Sequence, residues 1–294
     1  MLNKLVILRT AVAPAIWGTT YLVTTSLLPP DAPLLAGMLR ALPAGLILLV
    51  VTRTLPQGSW WWKSLVLGAL NIGIFFPLLF LAAYRLPGGV AATLGAVQPL
   101  IVQTLAVRLV GERLRPRAVI AGIAGILGVS LLVLQASARL DPLGIAAALG
   151  GTGAMALGIV LSKRWTASVP PLTSTAWQLV WGGLLIIPVL LVIEGLPTHL
   201  TGQNVASFAY LSIIGGALAY TIWFAGIRRL PAVTTSFLGL LSPLVATALG
   251  WAVLAQDFTP GQAIGGVIVL TALTVALSHR NHVPLTADTG SQPR

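Results

Sequence analysis

From Leu86 to Val133 the chain reads LPGGVAATLGAVQPLIVQTLAVRLVGERLRPRAVIAGIAGILGVSLLV, two apolar runs around one charged turn. A membrane helix needs about 20 predominantly apolar residues, and each run supplies nearly that many before a charge interrupts it. The turn Gly111-Glu112-Arg113-Leu114-Arg115-Pro116-Arg117 concentrates cations at one end of this hairpin, and Leu86-Pro87-Gly88-Gly89 closes the other.

The same pattern fills the chain. Of 294 residues, 56% are hydrophobic and 8% charged, against roughly 25% charged in a soluble domain. Cutting wherever charge, Pro pairs or turn residues break the hydrophobicity gives ten segments: 6–28, 34–52, 62–84, 88–110, 118–136, 142–162, 172–193, 205–227, 233–254 and 261–278. The expected fold is an all-α membrane protein of ten transmembrane helices. Of the 31 glycines, 26 lie inside these apolar runs, as do seven of the 20 prolines, where membrane helices tolerate both. Residues 281–294 are polar and aperiodic and read as a disordered cytoplasmic tail.

The net charge of +11 is spread singly and in small groups between the segments, so it is a topology signal and not a nucleic-acid footprint. With both termini cytoplasmic, fourteen of the seventeen Lys and Arg fall on the cytoplasmic side, Arg40 lies within a segment, and only Arg85 and Arg139 fall outside, among the acids Asp31, Asp141, Glu194 and Asp257. That bias sets the orientation. Hydrophobicity running far past Arg9 predicts an uncleaved first helix rather than a signal peptide. The absence of cysteine excludes disulfides, thiolate catalysis, thiolate metal sites and iron–sulfur clusters, and His199, His279 and His282 lie in loops or the tail.

Shifted by 144 residues, Arg85-Leu86-Pro87 falls on Arg229-Leu230-Pro231, Leu94-Gly95 on Leu238-Gly239, Pro99-Leu100 on Pro243-Leu244, Pro116 on Pro260 and Gly122 on Gly266. A shift of 138 to 140 sets Gly18 on Gly158 and Gly45-Leu46 on Gly183-Leu184. Residues 1–137 and 138–280 therefore read as two repeats of five helices. An odd number of crossings puts them in opposite orientations, the inverted-repeat plan of secondary transporters, around a central cavity.

These residues also carry a resemblance. The short turn at Leu86, Gln98-Pro99-Leu100 in mid-segment, the Gly111-Glu112-Arg113 ending and the helix with Gly122, Gly125 and Gly128 resemble the EamA domain of the drug/metabolite transporter (DMT) superfamily, with Arg40 and Gln178 at that family's recurring polar positions. The size and the Trp17-Gly18 opening are similar to YddG-type aromatic amino-acid exporters. The resemblance implies a bacterial inner-membrane exporter. The second half has Gln256 where the first has Glu112, which argues against a transport role for that carboxylate.

Several residues are candidates for the walls of a solute site. Trp17, Thr20, Tyr21 and Thr24 form one polar-aromatic helical face. Asn71 and Phe75 follow on the third segment, Gln98 and Gln103 on the fourth, Trp177, Gln178 and Trp181 on the seventh, Tyr220 and Trp223 on the eighth, and Ser236 and Ser242 on the ninth. Each has a plainer reading as an interhelical hydrogen bond or an interfacial anchor; Trp60, Trp61 and Trp62 beside Lys63 are read as such an anchor. Arg40 is the one ionisable residue well inside a segment, and it serves either a structural pair with Asp31 or an outer-surface contact, or a substrate carboxylate. Glu112 is read as pairing locally with Arg113 and Arg115 or capping the helix that follows it. Pro99 and Pro243 each free a carbonyl one turn earlier at membrane depth, and Gly150, Ala154 and Gly158 suit close helix packing.

The function expected is secondary transport of a small organic solute by alternating access, an amino acid or similar zwitterion, with export implied by the resemblance. No enzyme chemistry, cofactor, metal or nucleotide hydrolysis is expected, since no Gly-rich, Lys-bearing phosphate loop is present and no Asp or Glu lies at mid-membrane for a proton relay. The alternatives are a sugar-nucleotide or phosphate-ester carrier, or a drug efflux transporter, of the same fold. An intramembrane enzyme is more distant, because it would need a buried His, Asp or Ser–base constellation. The partners expected are the solute and the bilayer, and no nucleic acid.

Overall fold

The computed structural model describes residues 2–29, 32–86, 88–133, 141–166, 168–197, 199–254 and 259–277. All regular structure among them is helical: α1 (Leu2–Leu27), α2 (Pro33–Thr52), α3 (Trp60–Gly68), α4 (Phe75–Arg85), α5 (Gly88–Gly95), α6 (Gln98–Val110), α7 (Pro116–Val133), α8 (Pro142–Arg164), α9 (Pro171–Ile193), α10 (Gly202–Ser212), α11 (Ala219–Arg229), α12 (Ala232–Leu238), α13 (Leu241–Leu254) and α14 (Pro260–Leu277). Nine stretches among the described residues are long and apolar enough to cross a membrane, and Pro116–Leu132 is a shorter apolar one. The Tyr21 side chain, Asp31, Gln256 and the 281–294 tail lie outside the described residues.

Helix starts follow from local chemistry. Pro33, Pro142 and Pro171 open their helices, where the missing N–H has no intrahelical acceptor to lose. Asp141 caps α8 by accepting from the Gly144 N–H at 2.7 Å. Thr201 and Asn204 form a reciprocal capping box on α10. Gly111, in the left-handed region at φ 69°, ends α6.

The bundle is assembled on small residues. A Cβ on Gly45 would lie 2.6 Å from the Val180 nitrogen, so α2 and α9 meet backbone to backbone, and a Cβ on Gly265 would lie 2.6 Å from the Gly128 carbonyl, where α14 meets α7. In lipid, where apolar burial gives no net drive between helices, such close approach is what holds them together. Gly158 serves the same end: a Cβ there would collide with the Asn71 amide, so α8 keeps room for a polar side chain. Trp60, Trp61 and Trp62 pair edgewise or tilted with Trp177, Trp181 and Trp165, and the Lys63 ammonium lies 5.6 and 5.7 Å from the Trp60 and Trp62 rings.

Four irregularities interrupt the helices. Between α3 and α4 the chain makes a π-helical turn, Ala69–Gly73, and between α10 and α11 another, Ile213–Leu218. α5 ends at Gly95 and α6 begins at Gln98, while α12 ends at Leu238 and α13 begins at Leu241. Pro99 and Pro243 therefore sit in the first turn after a break rather than inside a continuous helix. The carbonyl that Pro243 leaves behind, Gly239 O, is not orphaned as the sequence implied: it accepts from the Ser242 N–H at 3.1 Å, one of the tighter i→i−3 bonds that carry the chain across this break.

Candidate functional site

The π turn at Ile213–Leu218 positions the center of the site. Its wider ring loosens the regular ladder, and there the Gly215 carbonyl accepts two side-chain donors: Trp17 Nε1 of α1 at 3.0 Å and Arg40 Nη2 of α2 at 3.3 Å. α2 approaches this turn because Gly216 lacks a side chain; a Cβ there would lie 2.5 Å from the Arg40 carbonyl.

Around this point an aromatic cluster closes. The Trp17 ring lies 4.8 Å from Tyr220 and 5.1 Å from Trp223. Tyr220 continues to Phe76 at 6.1 Å and Phe224 at 5.8 Å, the tilted and edge-on spacings that aromatic quadrupoles favour. The Arg40 guanidinium stands 5.2 Å from the Phe76 ring center. Arg40 is 4% exposed, so it does not snorkel to a surface; it is a cation held within the bundle by a carbonyl and a ring face. Asp31, the other partner considered for it, is outside the described residues.

A second polar group adjoins the first. Asn71 Nδ2, in the other π turn, donates to Gln178 Oε1 at 2.8 Å and to Ser162 Oγ at 3.2 Å, and Gln178 Nε2 donates to the Ser174 carbonyl at 3.3 Å. A cavity of about 20 Å³ lined by Ser162, Ser174, Gln178 and Phe224 lies beside it, room for about one water. Phe224 thus belongs to both groups.

The remaining candidates are dispersed. Thr20 and Thr24 have buried hydroxyls with no hydrogen-bond partner among the described residues, as does the Trp223 indole N–H. Gln98 is half-buried at the start of α6, facing the opposite helix break: a Cβ on Gly239 would lie 3.8 Å from its Oε1. Ser242 is half-buried where α13 meets α1, its carbonyl 2.8 Å from a Cβ built on Gly18. Trp177 stands apart from the Trp17 cluster, donating to the Thr54 carbonyl at 2.7 Å beside Trp60. Gln103 donates to the Arg115 carbonyl, and the Ser236 hydroxyl bonds back to Val233.

Phe75 turns toward Gly151 of α8, two turns along that helix from the contact between Gly158 and Asn71, while the next residue, Phe76, is buried against Arg40 and Tyr220. Phe76, Phe224, Ser162 and the Gly215 carbonyl were all missed in the sequence. The Gly215-Gly216 pair beside an aromatic run was the one available signal.

Two carboxylates cap helices across the chain. Glu112 Oε1 accepts from the Ala232 N–H at the start of α12 at 2.7 Å, a helix in the other half of the chain. Glu194 accepts from the N–H groups of Leu34 and Leu35 at 2.7 and 3.0 Å, at the start of α2. Chemically, the center offers a buried cation, aromatic faces and hydroxyls, which suits binding an organic solute; among the described residues no group of three or more His, Cys, Asp or Glu could hold a metal.

A model of the EamA-like transporter family matches the chain twice, over residues 4–134 and 142–278. Protein PecM of Dickeya dadantii is 48% identical over 265 residues, covering 90% of this chain and 89% of its own. YwfM of Bacillus subtilis, named as an uncharacterized transporter, is 28% identical over 271 residues, covering 90% of each chain. A solved protein crystal structure superposes with a TM-score of 0.79 at 22% identity, covering 92% of this chain and 96% of its own, a likeness of fold.

Proposed function

Because the chain belongs to the EamA-like transporter family of membrane transporters, we propose that it is a secondary transporter exporting amino acids and related small zwitterionic metabolites by alternating access. Residues 1–137 and 138–280 act in this reading as inverted repeats of five crossings each, in a bacterial inner membrane with both termini cytoplasmic. Two regularities support the repeat: the π turns begin at Ala69 and Ile213, 144 residues apart, and the two helix breaks keep nearly the same offset. Arg85 and Asp141, assigned to the same side, lie 3.5 Å apart, which supports their sharing one end of the bundle.

The observation that carries the solute assignment is Arg40, buried beside Phe76 and next to the Trp17–Tyr220 pair. A cation inside a span is costly and marks a functional position by default. Its planar fork suits a carboxylate, and an aromatic face suits an ammonium, so the two ends of a zwitterion have complementary partners within one cluster. In this reading Trp17, Tyr220 and Trp223 form the wall of this site, with Thr20 one turn further along α1, Asn71 and Gln178 behind it, and Gln98 and Ser242 at the helix breaks. Transport then needs no catalytic step: the site binds moderately and is exposed to one side after the other.

Exchange of labelled amino acids by purified protein in proteoliposomes tests the reading. Trans-stimulated uptake of a zwitterion supports it. Uptake confined to phosphate esters, or to cationic drugs lacking a carboxylate, overturns the solute assignment.

A further inference from the structure

We propose that the open vestibule at the Glu112 end of the bundle is a binding site for a multivalent oxyanion, separate from the cluster at Arg40. This goes beyond the amino-acid reading and does not depend on it. The vestibule has a volume of about 790 Å³, within the roughly 300 to 1,000 Å³ range of small-molecule sites. Five cations line it from three separate parts of the chain: Arg113 and Arg115 from the turn before α7 with Arg117 from its first turn, Lys163 from the end of α8 and Arg229 from the end of α11. The single carboxylate in the lining, Glu112, accepts from the Ala232 N–H and attracts the Lys163 ammonium, so five cations face one anion.

The preference of cytoplasmic loops for Lys and Arg explains which face these residues occupy. It does not explain why five of them converge on one cavity, while Lys4, Arg9, Arg53 and Lys63 of the same assigned face do not line it. Like charges gathered at the rim of a low-dielectric bundle repel one another and focus a positive field into the space between. An anion there relieves that repulsion and gains charge-assisted hydrogen bonds. The positive end of the α7 dipole opens on the same space, since Pro116 and Ala118 line it. The ligand chemistry is phosphate or polycarboxylate, and its source is either an anionic lipid headgroup or a soluble anion.

The test is thermal unfolding of the full chain in neutral detergent, followed by tryptophan fluorescence. Two probes are titrated at constant ionic strength: inorganic pyrophosphate, and mixed micelles containing phosphatidylglycerol compared with phosphatidylcholine. Stabilisation by pyrophosphate identifies a soluble anion, and stabilisation by phosphatidylglycerol alone identifies a headgroup. In either case Arg113→Gln with Arg117→Gln should raise the half-saturating concentration by about tenfold or more, and Arg113→Lys with Arg117→Lys should recover most of it. Lys4→Gln with Arg9→Gln, which removes equal charge elsewhere on the same assigned face, should leave it unchanged. Should the Gln pair fail to fold, the Lys pair and the wild-type titration decide. A wild type that responds to neither probe, or equal losses in the vestibule and control variants, overturns the proposal.

Discussion

The indole of Trp17 and the guanidinium of Arg40 meet on one acceptor, the Gly215 carbonyl, at 3.0 and 3.3 Å. α1 and α2, both in the first family match, are thereby tied to a π turn in the second. A change in that turn moves both side chains together, so the cation and one indole of the candidate site are positioned by the same backbone atom.

Trp17→Phe keeps a ring against Tyr220 and Trp223 but loses the bond to Gly215. Transport affinity should weaken by about tenfold at most, one neutral hydrogen bond being worth about 0.5–1.5 kcal/mol. Trp17→Ala should weaken it further. Concentration-dependent exchange in proteoliposomes, normalised to protein, measures both, and unchanged kinetics in Trp17→Ala would remove α1 from the site.

Gly45→Ala forces a methyl to within 2.6 Å of the Val180 nitrogen, a backbone atom that cannot turn aside. It should destabilise the protein by about 1–3 kcal/mol through overpacking. At Gly153 nothing lies within 4 Å of the added carbon, so Gly153→Ala should be neutral or gain up to about 1 kcal/mol of helix propensity. Melting temperatures in one detergent compare them; equal values would contradict the backbone contact between α2 and α9.

Glu112→Gln retains an oxygen for the Ala232 N–H, whereas Glu112→Ala removes it. The Gln variant should fold and transport close to wild type, and the Ala variant should lose about 0.5–2 kcal/mol of stability, the usual cost of a lost helix cap. Well-folded Glu112→Gln that binds solute but no longer carries it would make this carboxylate a coupling group. Glu194→Ala, which strips two N–H groups at once, should cost more than Glu112→Ala.

The membrane class and segment bounds were legible because the bilayer imposes a length. Segments read at 34–52, 142–162 and 172–193 compare with helices Pro33–Thr52, Pro142–Arg164 and Pro171–Ile193. What a one-dimensional pattern lacks is lateral neighbourhood. Trp177 and Trp223 each lie six residues from the helix end on the same assigned face, yet one packs by Thr54 and the other by Trp17. The π turn at Ile213–Leu218 left only the Gly215-Gly216 pair as a signature, and nothing in the sequence marked Phe76 as the ring that faces Arg40 and Tyr220. The joining of Asn71 to Gln178 was within reach as a pair of amides, but Ser162, which completes it, looked like any helix-end serine.

Orientation is open to direct labelling, because the native chain has no cysteine. Gln57→Cys and Leu196→Cys, both at exposed positions, should react with an impermeant maleimide from the cytoplasmic and the outer side respectively. The reverse pattern would invert the topology, and reaction of both from one side would change the number of crossings between them.

The most direct measurement compares an amino acid with its decarboxylated amine as counterflow substrates for the wild type and Arg40→Gln in proteoliposomes. If Arg40 receives the carboxylate, the wild type exchanges phenylalanine, or another zwitterion, at least about tenfold better than the matching amine. Arg40→Gln then loses that discrimination, at a melting temperature that still reports a folded bundle. A wild type that carries the amine as well as the amino acid, or a folded Arg40→Gln that discriminates as the wild type does, would contradict the assignment of this buried cation to the solute.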